Sequence, residues 1–394
     1  MKPENFTKLA PGRTIWMPEG FWAFVPDPLP PNIDWNSNLV TALSAADRAV
    51  GELAGLGRNL PNPHLLINPF IRREAVLSSR IEGTRASLSD IYAYEVGQLR
   101  FWEYMDTEDV REVVNYIRAL EYGLQRMNDL PLSLRLIREL HGILMEGVRG
   151  SSRAPGEFRR VQNWIGPPGC SAAEAHFVPP PVSEMHQALD KLERFLHDEQ
   201  GLPPLIKAAL AHYQFEAIHP FLDGNGRMGR MLIILLLCNW GILPQPLLYL
   251  SAYFAMYRDT YYECLQSVST RGDWNKWLLF FLQGVESQAR DAILRAKRLQ
   301  DLQRNYHQRL ARTRVPATTL RLVDFLFEYP VVSVPQLARY LDITFTATSK
   351  HVKALEEEGI LRRAGERKRN QLYVAVEVLA AIENPLTSDS SSTR

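Results

Sequence analysis

The chain of 394 residues carries 45 Lys and Arg against 44 Asp and Glu, with 46% hydrophobic residues, 23% charged residues and three cysteines. That balance excludes an intrinsically disordered chain, a collagen-like repeat and a disulfide scaffold. At roughly 150 residues per domain, the length gives two or three domains with a substantial core.

The first sixty residues are rich in Pro, Asn and Trp, and Pro26, Pro28, Pro30 and Pro31 interrupt any regular element, so no long helix is expected there. Met1 to Trp16 has no apolar run behind a basic start, which argues against a signal peptide. From Pro69 onward the period is helical. Val113, Val114, Ile117, Leu120 and Leu124 recur at spacings of three and four, as do Met185, Leu189, Leu192 and Leu196. Leu134 to Met145, Leu205 to Ala217 and Gly226 to Trp240 follow the same rule. Between them, Gly156 to Pro181 surrounds a Gly-Pro-Pro-Gly turn and reads as a short hairpin or flap. The apolar run Met231 to Cys238 is far shorter than the roughly 20 residues of a membrane span, so no membrane association is expected. Cys170, Cys238 and Cys264 are scattered, which fits a reducing, cytoplasmic setting.

Tyr253 to Arg309 is helical again, with a boundary near Arg312 to Ala317. Sixteen basic and eight acidic residues lie between Arg295 and Ala375, so a basic module follows an acidic body. Leu320 to Phe327 is amphipathic, Ser333 caps a second helix, and Thr346 to Glu358 forms a third before a polar hairpin around Gly365. Thr387 to Arg394 is Ser-rich and expected to be disordered.

The richest segment is His219-Pro220-Phe221-Leu222-Asp223-Gly224-Asn225-Gly226-Arg227-Met228-Gly229-Arg230, a loop feeding a helix N-terminus. Gly224 and Gly226 let backbone amides converge on an anion, and the helix dipole favours negative charge at the same place. Arg227 and Arg230, three apart, project from one side of the first turn. Asp223 offers a hard oxygen suited to Mg²⁺ beside phosphate, and His219 stands where a hydroxyl proton could be taken.

This string matches the HPFx(D/E)GNGRxxR motif, and the chain resembles the Fic family over about Pro69 to Arg290. The resemblance implies a mainly α fold: a Fic-type helical bundle with a short β-hairpin flap. It also implies a protein adenylyltransferase that moves AMP from ATP to a Ser, Thr or Tyr hydroxyl with Mg²⁺ as cofactor. His219 would be the general base and Asp223 the metal ligand. Asn225 with the Gly224 and Gly226 amides would hold the α- and β-phosphates, Arg227 the β-phosphate and Arg230 the γ-phosphate. Upstream, Ser78-Ser79-Arg80-Ile81-Glu82-Gly83 matches the family's (S/T)xxxE(G/N) inhibitory helix. Ser78, Glu82 and Gly83 would thus mark an autoinhibitory element, with Glu82 competing for Arg230. A target protein would dock on the flap by strand addition. Removal of AMP, in place of or beside its transfer, stays open, and the resemblance leaves room for a homodimer.

The C-terminal order of helices and hairpin resembles a winged helix-turn-helix. That likeness implies DNA contact through Thr346, Ser349, Lys350 and Lys353 on a recognition helix. Arg362, Arg363, Arg367, Lys368 and Arg369 would lie on the wing, against the opposing charge of Glu356, Glu357 and Glu358. A DNA-binding regulator with a nucleotide-sensing domain is the competing reading. The expected organisation is an N-terminal segment (1–105) with the inhibitory helix at about 70–85, a catalytic core (106–290), a helical linker (291–316), the winged module (317–384) and a tail (385–394).

Overall fold

The computed structural model describes residues 1–58, 63–96, 107–149, 153–198, 201–313, 315–365 and 371–384. Arg367, Lys368 and Arg369 of the expected wing, and the tail from Thr387, lie outside the described residues.

Two strands open the chain, β1 (Gly12–Met17) and β2 (Phe21–Pro26), paired antiparallel from Gly12 opposite Pro26 to Met17 opposite Phe21. Contrary to expectation, a 22-residue helix follows, α1 (Ser37–Arg58), started by the Asn36 side chain accepting from the Leu39 amide at 3.1 Å. Its buried stripe runs Leu39, Ala46, Ala49, Val50, Leu53, Ala54 and Gly57. Ala and Gly dominate that stripe, so large apolar residues do not mark the helical period. The small residues let α1 lie closely along the long helix α11 described below.

Next come α2 (His64–Ile81), which starts before Pro69 and runs through it, and α3 (Leu88–Glu95), opened by a capping box between Ser87 and Asp90. The helical body continues with α4 (Thr107–Arg126), α5 (Leu134–Leu144) and α6 (Val182–His197). It is completed by α7 (Pro204–Ile218) and α8 (Asn225–Asn239). α7 and α8 are buried on nearly all sides, which is the mark of central helices. α9 (Ser251–Met256), α10 (Arg258–Arg271) and α11 (Trp274–Arg312) close the body. Trp277 of α11 donates its indole N–H to the Ala209 carbonyl at 3.0 Å, anchoring α11 on α7. The expected flap is largely irregular: its only ladder is a bridge between Ile165 and Phe177, with N–O distances of 2.8 and 3.1 Å. Its base is tied to the N-terminal hairpin, where the Phe24 amide donates to the Val178 carbonyl at 2.9 Å.

The segment expected as a separate linker is simply the continuation of α11. Beyond it lie α12 (Ala317–Glu328), β3 (Val331–Ser333), α13 (Val334–Leu341), α14 (Phe345–Glu357), β4 (Arg362–Ala364), β5 (Leu372–Val374) and α15 (Val376–Glu383). The strands form an antiparallel sheet in the order β3-β5-β4. β3 and α15 were not expected from the sequence. This C-terminal module packs on α2 through α12 and α15. Arg72 of α2 pairs with Glu95 at 2.8 Å and lies over the rings of Tyr92 and Tyr329. No described helix is long and apolar enough to cross a membrane.

Candidate active site

The loop between α7 and α8 starts at His219, which terminates α7 with φ 48° and ψ 60°. A non-glycine residue in this left-handed region costs about 1–2 kcal/mol, so its neighbours must hold it there. Arg159 donates to the His219 carbonyl at 3.1 Å, and the Asn163 amide donates to the same carbonyl at 3.2 Å and to that of Phe221 at 2.8 Å. Phe221 is fully buried and stacks on the His141 ring, with centroids 3.7 Å apart and planes 5° apart. His141 Nδ1 accepts from the Gly156 amide at 2.9 Å, which leaves Nε2 to donate to the Asp223 carbonyl at 3.0 Å. Burial pushes His141 down to about 4, consistent with that neutral tautomer. Flap, α5 and loop are therefore one hydrogen-bonded unit.

Asn225 differs from expectation. Its side-chain oxygen accepts from the Phe221 amide at 2.9 Å and its NH₂ donates to the Phe221 carbonyl at 2.8 Å. The side chain braces the loop, and what it leaves for an anion is the backbone amide. The amides of Asn225, Gly226 and Arg227 open α8, and none has an acceptor among the described residues. At Gly226 a Cβ would lie 2.3 Å from Glu82 Oε1, so the carboxylate approaches the helix as only a glycine permits.

His219 is half-buried, with Nδ1 3.3 Å from the Glu216 carbonyl oxygen. That contact assigns the ring proton to Nδ1 and leaves the Nε2 lone pair available. Burial pushes His219 down to about 4, so it is neutral and able to take a proton near pH 7. Asp223 is 36% exposed; Oδ1 accepts from the Gly224 amide at 2.7 Å and Oδ2 lies 3.3 Å from Arg153.

The two motif arginines are both buried, with different partners. Arg227 donates to Glu112 at 3.3 Å and approaches Met145 Sδ at 3.6 Å, while its Nε has no acceptor. Arg230 donates through Nε to Ser78 Oγ at 2.9 Å, and through Nη2 to the Ser78 carbonyl at 2.9 Å and to Glu82 Oε1 at 2.7 Å. Glu82 is not on the helix as expected. It follows the last residue of α2 as its C-cap, and Gly83 turns the chain away with φ +99°. Burial works against ionisation of Glu82, but the Arg230 guanidinium overrides it and holds the carboxyl below its ordinary value.

A cavity of about 810 Å³ opens here between the flap, α7, α8 and α10. His219, Asp223, Arg230 and Glu82 line it, together with Glu216, Tyr261 and Tyr262. Sequence reasoning missed Glu112, His141, Arg159, Asn163 and Glu216. The first four act by reaching across the fold to the motif, and no local spacing signals that. Glu216, three residues before His219, could have been found as the one carboxylate of α7.

The segment that carries α5 to α8 and the loop has counterparts in known proteins. Residues 40–125 match the N-terminal region of the Fic/DOC family, and residues 131–237 match the Fic/DOC family itself. The protein adenylyltransferase Fic of Drosophila grimshawi is 34% identical over 140 residues, 35% of this chain and 27% of that protein. The Culex quinquefasciatus protein of the same name is 30% identical over 187 residues, 45% of this chain and 33% of the relative. The matches thus span about a third or less of these relatives' length. Among solved structures, a Fic family protein from Desulfovibrio desulfuricans G20 superposes with a TM-score of 0.57 at 20% identity, covering 88% of this chain and 98% of that one. Fic-1 from C. elegans gives 0.51 at 23%, covering 65% and 73%. At these identities the structural likeness is one of fold. The two matched segments follow one another along the chain, and the His219–Arg230 loop lies inside the second.

Proposed function

We propose that this chain is a protein adenylyltransferase that moves AMP from ATP to a Ser, Thr or Tyr hydroxyl of a target protein, held in check by Glu82. The observation that carries this reading is Arg230, whose guanidinium lies beside the open amides of α8 yet is already held by Ser78 and Glu82. A phosphate-binding arginine occupied by the chain's own carboxylate is a site in its restrained state. The name borne by the curated relatives supports the choice of reaction.

In the active state, the amides of Asn225 to Arg227 hold phosphate oxygens, with Arg227 and Arg230 beside them. His219 Nε2 takes the proton of the target hydroxyl as its oxygen bonds to the α-phosphorus. The bond from that phosphorus to the bridging oxygen breaks, and pyrophosphate leaves with the electron pair. Asp223 fits a Mg²⁺ ligand: a half-exposed carboxylate at the cavity, of the kind that binds this ion together with phosphate oxygens. When bound, Mg²⁺ would supply charge neutralisation. The edge of the flap around Ile165 would dock an extended target segment.

For the C-terminal module, α13, α14 and the β4–β5 pair support a winged-helix reading. Thr346 and Lys350 are exposed on α14. Lys353, however, pairs with Glu357 at 3.6 Å and Arg363 with Glu356 at 2.9 Å, which sets carboxylates beside the cations a phosphate would meet. The enzymatic reading therefore leads.

Intact-protein mass spectrometry of Glu82→Gly incubated with ATP and Mg²⁺ tests the proposal. Self-modification by one AMP, absent when His219→Ala is added, is the expected result. An added phosphate in place of AMP would overturn it.

A further inference from the structure

Glu216 lies in the last turn of α7 and lines the cavity, but nothing in the reaction above uses it. Its Oε1 is shut off from solvent without a partner, and neither carboxylate oxygen accepts a hydrogen bond among the described residues. A buried acceptor left bare in a well-packed helix pair calls for an explanation. The approach is also built in. At Gly229, one turn along α8 from Gly226, a Cβ would lie 2.3 Å from Glu216 Oε1. Gly226 and Gly229 thus admit two carboxylates, Glu82 and Glu216, against the same face of α8.

The two carboxylates face different needs. Glu82 meets Arg230 at 2.7 Å, whereas Glu216 has no cation within salt-bridge distance among the described residues. The cavity carries the α8 helix start and Arg230, which suit phosphates, and Tyr262 and Leu265 of α10, which suit a flat base. Glu216 shares that lining, with Arg230, Glu82 and Tyr261 among its neighbours. The part of a nucleotide that lies between base and phosphates is the sugar, and its hydroxyls are neutral donors that a lone carboxylate can accept without repelling them.

We propose that Glu216 is the sugar-reading residue of this site: its carboxylate accepts the 2′- and 3′-hydroxyls of the bound nucleotide and makes the chain select ribonucleotides over deoxyribonucleotides. The inference rests on the nucleotide-transfer reading and assigns a specificity that reading leaves open. A carboxylate is the group other nucleotide folds use on ribose hydroxyls, and a site built around a substrate hydroxyl rejects the analogue that lacks it.

The test is calorimetric binding to the full-length Glu82→Gly chain, with ATP, 2′-deoxy-ATP, 3′-deoxy-ATP and inosine triphosphate. At pH 8, where the Glu216 carboxyl, pushed up to about 7 by burial, is ionised, ATP should bind on the order of 10-fold to 100-fold more tightly than either deoxy analogue. Glu216→Ala should bring the three within about twofold of one another, and Glu216→Gln, which keeps an acceptor, should retain part of the preference. Equal binding of ATP and both deoxy analogues to Glu82→Gly overturns the proposal, and this holds even if no Glu216 variant folds. So does a loss in Glu216→Ala that falls equally on all three but spares inosine triphosphate, since that would place Glu216 on the base amino group. If UTP, CTP or GTP binds in place of ATP, the adenylyl reading fails, and the sugar comparison is read on that nucleotide instead.

Discussion

The helical body around α8 and the C-terminal module use positive charge in opposite ways. Around α8, Arg227 and Arg230 are buried and held by acceptors drawn from α2 and α4, regions more than a hundred residues away in sequence. In the C-terminal module the described cations are mostly exposed, and Lys353 and Arg363 are satisfied by neighbours four and seven residues away. Burying a guanidinium costs several kcal/mol unless its partners are well placed, so a protein does it where a charge must be held in position. Surface pairs contribute little and are screened by salt. The contrast teaches where to look for chemistry: at the buried cation whose partner is replaceable.

The contrast can be broken by substitution. The largest effect is expected in activity: His219→Ala in the Glu82→Gly background should lower AMP transfer by about 10²–10⁴-fold, leaving the thermal midpoint nearly unchanged. In stability, Arg230→Ala should cost about 3–5 kcal/mol by denaturant unfolding, because Glu82 loses its cation and Ser78 its donor at a buried position. Arg159→Ala should cost about 2–3 kcal/mol, since its guanidinium supports the His219 and Pro180 carbonyls from a buried position. By contrast, Arg363→Ala should leave the melting curve where it was. A loss comparable to that of Arg159→Ala would show that the surface pairs matter more than argued.

The pH dependence sharpens the same point. Glu82 is held below its ordinary value, so its pairing with Arg230 is present above the unfolded carboxyl range and is lost only as pH falls through the lowered folded value. Restraint should therefore persist from pH 8 to pH 5. Wild-type transfer assayed across that window should show no acid-induced rise.

The motif between His219 and Arg230 was legible because its chemistry is local: two glycines, a carboxylate and two arginines set around one helix start. Glu82 could be paired with Arg230 only through the family resemblance, since 148 residues separate them, and the contact of Ser78 with Arg230 was not foreseen. α1 was missed because Ala46, Ala49, Ala54 and Gly57 bury a helix face without announcing it. The strand β3 is only three residues long and exists because β5 pairs with it. His141, Arg159 and Asn163 read as ordinary polar residues until the fold brings them against the loop carbonyls. Asn225 was placed at the right spot, but its spacing could not tell a phosphate ligand from a brace.

The position of Glu82 just past the end of α2 has a mechanical meaning. The helix itself is clamped along its length, by Ser78 to Arg230 on one side and by Arg72 to Glu95 and Tyr329 on the other. Sliding it would unpack α12 and α15 as well. Its tip is different: the turn is held to α2 by the Gly83 amide on the Arg80 carbonyl at 3.0 Å, but a Cβ at Gly83 would meet nothing within 4 Å, so the chain beside Glu82 faces open space. Under the proposed autoinhibition, release of Arg230 is a turn of the Glu82 side chain at the end of a fixed beam. The resting leak would then be a rotamer population, set by a single ion pair and re-established as fast as a side chain turns.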